Sequence, residues 1–169
     1  MRTPKESTLM LAILALSVFV IKVAMNTLAG IGYTPFQQSV MNVSDSFILD
    51  ITPCGWAFSI WGFIYIWNAA YIVYALTTAV RDVPPVLNAL FFLVYIVSDL
   101  LNVTWLYAFT SDSIGASSVV LMGNFASLCV LSYVVYANYS TYQKQLEEHY
   151  VADSITIKVL VENGEYSPN

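Results

Sequence analysis

Charge is scarce in this chain. Asp, Glu, Lys and Arg make up only 10% of its 169 residues, against about a quarter in an ordinary soluble domain. The six Lys and Arg are scattered rather than clustered, which removes the electrostatic footprint a nucleic acid would need. Cysteine is nearly absent as well. Cys54 and Cys129 cannot build a disulfide framework, and no CxxC or His/Cys cluster offers a metal its ligands. The single histidine, His149, lies in a polar stretch. No Ser/His/Asp set, HExxH, paired carboxylate or phosphate-cradling glycine loop is visible, so no enzymatic role is expected.

Apolar residues fill the space that charge leaves. The chain is 58% hydrophobic and 15% aromatic, with a mean hydropathy of +0.67. A helix crossing the ~30 Å hydrocarbon layer takes roughly 20 such residues. Four stretches meet that length, at about 8–29, 56–80, 85–109 and 114–136. They are continuous rather than alternating and too long for barrel strands, which predicts an all-α membrane protein built as a four-helix transmembrane bundle. Thr52-Pro53 and Pro84-Pro85 read as entry signals for the second and third spans. The bundle is expected over residues 1–138. A polar, partly disordered cytoplasmic tail should follow over 139–169, in which YQKQLEEHY is helical in character and ENGEYSPN reads as turn.

The first span has a rival reading as a cleaved signal peptide, with Arg2 and Lys5 ahead of an apolar core. The loop charges speak to orientation. Arg2 and Lys5 precede the first span, Arg81 separates the second from the third, and Lys144 and Lys158 follow the fourth. The intervening loops have no Lys or Arg, a pattern that places both termini in the cytoplasm. The sequon Asn42-Val43-Ser44 then falls in the long outer loop and marks Asn42 for glycosylation. The sequons at Asn102 and Asn138 fall in or beside the membrane and read as chance matches.

Few polar residues interrupt the spans. Counting ~1.5 Å per residue from the cytoplasmic side puts Lys22 at ~20 Å, Asn68 at ~18 Å, Asp99 at ~20 Å, Asn102 at ~25 Å and Asn124 at ~18 Å. Residues from all four helices therefore share one polar layer near the midplane. A charge at that depth costs ~2.5–3.5 kcal/mol on insertion scales, so Lys22 and Asp99 are expected to face inward and pair. Such a layer either floors a cavity or clamps the helices together. In the second span, Trp61, Phe63 and Trp67 could wall a pocket for a flat ligand or simply supply bulk. Gly55, Ser59 and Gly62 form a flat stripe on which another helix could pack.

Two short stretches carry a family resemblance. Leu101-Asn102-Val103-Thr104-Trp105-Leu106-Tyr107-Ala108-Phe109 is similar to the third-helix pattern L-N-x-x-W-x-x-x-F of the TspO/translocator group, the tryptophan-rich sensory proteins or peripheral benzodiazepine receptors. Pro53-Cys54-Gly55-Trp56-Ala57-Phe58 with Trp61 resembles that group's second-helix opening, although the further tryptophan comes one position early. The likeness covers roughly residues 8–137. It implies a pocket between helices for porphyrins, sterols or synthetic apolar compounds, used in transport or sensing. By that resemblance, together with the aromatic content of the second span, the ligand-binding candidates are Trp56, Trp61, Trp67, Asn102 and Trp105. The family's bundles have five helices, whereas this chain offers four, which reads as a version truncated before the fifth. Asp99 and Lys22 are not part of the family pattern. Their presence keeps open a second reading, a small ion- or proton-coupled transporter, beside a third, a non-catalytic assembly subunit or truncated isoform. The partners expected are the bilayer, a hydrophobic small molecule and a second copy of the chain, with no nucleic acid.

Overall fold

The computed structural model describes residues 4–47, 50, 52, 54–80 and 86–163. Arg2, Pro53, Arg81, Pro84-Pro85 and most of ENGEYSPN, to which the sequence reading gave roles, lie outside these residues. Everything else in the backbone is helical, joined by short turns, and there is no strand among the described residues. Helix α1 spans Pro4–Ile31, α2 Val40–Ser46, α3 Ile60–Val80, α4 Ala89–Thr110 and α5 Ile114–Glu162, with a 3₁₀ turn at Gly55–Ser59 leading into α3. Four of these (α1, α3, α4 and α5) are long and apolar enough to cross a bilayer.

The ends of the helices follow from particular residues. α1 stops at a Schellman cap in which the Tyr33 N–H donates to the Leu28 carbonyl at 2.9 Å. Gly32 takes the left-handed position there with φ +69, and a Cβ on it would meet the Ser39 nitrogen at 2.9 Å. That turn folds α2 back toward the bundle, with Ser39 capping its first turn. α4 starts at Ala89, four residues later than the proline pair suggests. Asn88 takes the N-cap position, and its side chain accepts from the Phe91 N–H. At its other end the N–H of Ser113 donates to the Ala108 carbonyl, with Asp112 in the left-handed position at φ 56. Gln38 Nε2 donates to Asp112 Oδ2 at 2.8 Å, fastening the α2 loop to the α4–α5 turn.

α5 does not stop where its apolar run ends near 136. It continues unbroken through the polar stretch to Glu162, 49 residues in all and roughly 74 Å long at ~1.5 Å per residue. No glycine or proline occurs from Asn124 to Asn163, and QKQLEE is made of good helix formers, so nothing breaks the backbone ladder. Asn138 ties this helix to the entry of α4, donating to the Val86 carbonyl at 2.8 Å and accepting from Asn88. Its amide is thus engaged inside the protein rather than presented as a sequon.

α4 is the central helix, packed on α1 along one side and on α5 along the other. The buried stripe of α1 runs through Ala12, Ala15, Phe19 and Lys22 in steps of three and four residues and reaches Ala29 two turns further on. Two alanines with no exposed surface let α4 come close, and Phe91, Phe92 and Tyr95 fill the space beside them. α3 packs chiefly on α1 and stands apart from α5. The Gly55–Ser59–Gly62 stripe is not used for close helix packing. A Cβ at Gly62 would meet nothing within 4 Å, and one at Gly55 would touch only the Met41 side chain. Hydropathy alone hides all of these faces, because every span is apolar all round. What marks the inner face in lipid is the polar minority.

Candidate ligand cleft and its polar floor

The buried face of α4 carries Ser98, Asp99 and Asn102 within one turn, all nearly without exposed surface. Each meets a polar partner on a neighbouring helix. Lys22 Nζ of α1 donates to Asp99 Oδ1 at 2.6 Å, with both side chains about 5% exposed. Asn26 Nδ2 donates to Asn102 Oδ1 at 3.0 Å and to the Lys22 carbonyl at 2.9 Å. Ser98 Oγ donates to Asn124 Oδ1 of α5 at 2.8 Å. Three polar links thus bind α4 to α1 and α5 at adjacent levels.

The structure accordingly brings Lys22, Asp99, Asn102 and Asn124 into one layer. Asn68 turns its amide to the Ile64 carbonyl of its own helix and reaches none of the others by hydrogen bond. Asn26 and Ser98 complete the layer, and sequence reasoning passed over both. The signal for Asn26 was its position four residues after Lys22, on the same face of α1. For Ser98 there was none, since serine in a helix usually bonds back to its own backbone.

The Lys22 ammonium is enclosed by rings. The ring centroids of Phe19, Tyr95 and Tyr65 lie 5.0, 5.6 and 5.7 Å from Nζ. Rings at this range attract a cation through their quadrupole, so aromatic faces replace part of the lost hydration. Three buried oxygens in the same neighbourhood, Asp99 Oδ2, Tyr65 Oη and Tyr95 Oη, have no hydrogen-bond partner among the described residues.

Above this floor a cleft opens between α3 and α5. Its inner chamber has a volume of about 760 Å³ and is lined by Lys22, Tyr65, Tyr95, Asp99 and Asn102 beneath, with Phe125 and Leu128 of α5 among its walls. A second chamber of about 850 Å³ lies toward Tyr71 and Tyr136 and carries Phe63 and Trp67 on its α3 wall. The two share Ile64, Asn68, Leu128 and Leu131, so they form one continuous groove. Each volume falls within the ~300–1,000 Å³ usual for small-molecule sites. Its surface is mostly carbon, with the polar groups gathered at the floor.

The tryptophans divide among three places. Trp61 lines the inner chamber, and its ring centroid lies 5.9 Å from that of Trp105 and 6.1 Å from that of Tyr65. Trp105 stacks on Phe109 and, with Trp61 and Tyr65, lines a smaller cavity of about 200 Å³ on the α2 side. Trp67 is on the wall of the larger chamber and donates through Nε1 to Tyr71 Oη at 2.9 Å. Trp56 is 78% exposed in the 3₁₀ turn and lines none of these cavities. Asn42 is exposed on α2. No group of His, Cys, Asp and Glu that could hold a metal occurs among the described residues.

Long apolar helices with Lys22, Asp99, Asn102 and Asn124 turned inward and a carbon-lined groove between two of them define an integral, multi-pass helical membrane protein. A family model described as "TSPO-like protein" matches residues 12–159, and the chain belongs to that family. No curated protein and no solved structure matches it.

Proposed function

We propose that the chain binds a flat, largely apolar small molecule, of the size of a porphyrin or a sterol, in the groove between α3 and α5, in the service of transport or sensing. The observation that carries this reading is the groove itself, carbon-lined, of ligand size, walled by Trp61 and Trp67 and floored by a polar cluster. Aromatic walls suit a rigid planar body, since stacked rings contribute ~0.5–1.5 kcal/mol beyond the area they bury. Membership of the TSPO-like family supports a binding role rather than a catalytic one.

The test is a titration of the protein in lipid nanodiscs with a porphyrin dimethyl ester, read by quenching of tryptophan fluorescence. Saturable quenching is expected. Trp61→Ala should weaken binding roughly tenfold, the equivalent of about 1.4 kcal/mol, while Trp56→Ala leaves the affinity unchanged. Quenching that rises linearly with ester, as simple partition into lipid would give, would remove the reading.

A further inference from the structure

The floor of the groove is more specific than its walls. An ammonium has three N–H donors, and Lys22 gives one to Asp99 Oδ1, the only oxygen it reaches among the described residues. Around that same Nζ stand the Tyr65 and Tyr95 rings, whose hydroxyls are unpartnered, and the Asp99 carboxylate, whose second oxygen is unpartnered. Asp99 and Tyr95 are 4% and 3% exposed, and all four residues line the inner chamber. Buried polar atoms ordinarily have partners, so three orphans meeting at one cavity floor mark a place where a hydrogen-bonding group is wanted.

The electrostatics restrict what that group is. Lys22 and Asp99 cancel, so the floor carries no net charge to offset that of an incoming ligand. A carboxylate arriving there meets Asp99 as well as Lys22, and an ammonium meets Lys22 as well as Asp99. Either one gives up its hydration for a pair whose charges already offset each other, which is unfavourable in a medium of low dielectric. A neutral hydroxyl or amide avoids that cost and both donates and accepts, matching the mixture of donors and acceptors at the floor. Tyr65 is only half-buried and lines both the inner chamber and the small cavity, so its ring borders the floor from two sides.

We propose that Lys22, Asp99, Tyr65 and Tyr95 form the head-group subsite of the groove, and that it selects a neutral amphiphile bearing a hydroxyl or amide over the carboxylate or amine of the same skeleton. This rests on the groove being a ligand site, and it names the class of ligand.

Three pyrene derivatives that differ only at the end of one chain separate the possibilities: pyrenebutanol, pyrenebutyrate and pyrenebutylamine. Each is titrated at neutral pH into the protein in phosphatidylcholine nanodiscs, with affinities expressed per mole of lipid after correction for partition into empty discs. The alcohol should bind at least about tenfold more tightly than either charged compound. Replacing both tyrosines (Tyr65→Phe with Tyr95→Phe) should erase most of that preference while pyrene binding persists. Equal affinities for all three, or a charged compound bound most tightly, would overturn the head-group subsite and leave the groove as a ligand site. Saturable binding by none of them would overturn both.

Discussion

Lys22→Met should destabilise the folded bundle by about 3–5 kcal/mol, and adding Asp99→Leu should restore most of the loss. The single change leaves a carboxylate with 4% of its residue exposed, no partner ammonium, and a second oxygen that already lacks a hydrogen bond. The double change replaces both charges with apolar side chains, the bulkier Leu at 99 having the inner chamber beside it, and the ring cage of Phe19, Tyr65 and Tyr95 then surrounds a thioether instead of a cation. A buried ion pair broken on one side costs far more than one removed whole, because desolvation is paid only where a charge remains. Denaturant unfolding in detergent micelles, or retention of the monomer fold on heating, measures both variants. If single and double variants lose equal stability, the pair is not closed in the protein.

Leu128→Trp should abolish binding of a planar ligand with little change in stability. Leu128 belongs to both chambers, and its side chain is about half exposed at their junction. An indole there occupies the groove between α3 and α5 without entering the core where α4 meets α1. The affinity for the porphyrin ester is expected to fall roughly thirtyfold or more, equivalent to about 2 kcal/mol, with an unchanged melting temperature. A variant that binds like the wild type would place the ligand elsewhere, for example in the small cavity beside Trp105.

The four spans were legible because a bilayer sets one length, and each apolar run meets it. The pairing of Lys22 with Asp99 could be anticipated for a related reason, since opposite charges at equal depth have few other places to go. Other features depend on what a linear pattern does not contain. Asn26 was overlooked because it lies one turn from Lys22, which already gave the first span a member of the layer. The length of α5 was hidden by a change of composition near Tyr136, where polarity rises although helix propensity does not fall. The gap between α3 and α5 follows from how the helices close on one another. α3 prefers α1 while α4 takes α5, and nothing in the order of the segments dictates that choice. Trp56 shows the converse. It stands in a family-like opening sequence, yet the 3₁₀ turn that follows Cys54 holds it out from the groove.

The central claim is that a lysine and an aspartate from two membrane-crossing helices meet under an open groove. Solid-state NMR on protein in bilayers, with lysine side-chain nitrogens and aspartate carboxyl carbons labelled, measures that contact directly. The account predicts dipolar coupling corresponding to a nitrogen–carbon separation within about 4 Å, lost in Lys22→Met. The absence of any such coupling in the wild-type protein would contradict it.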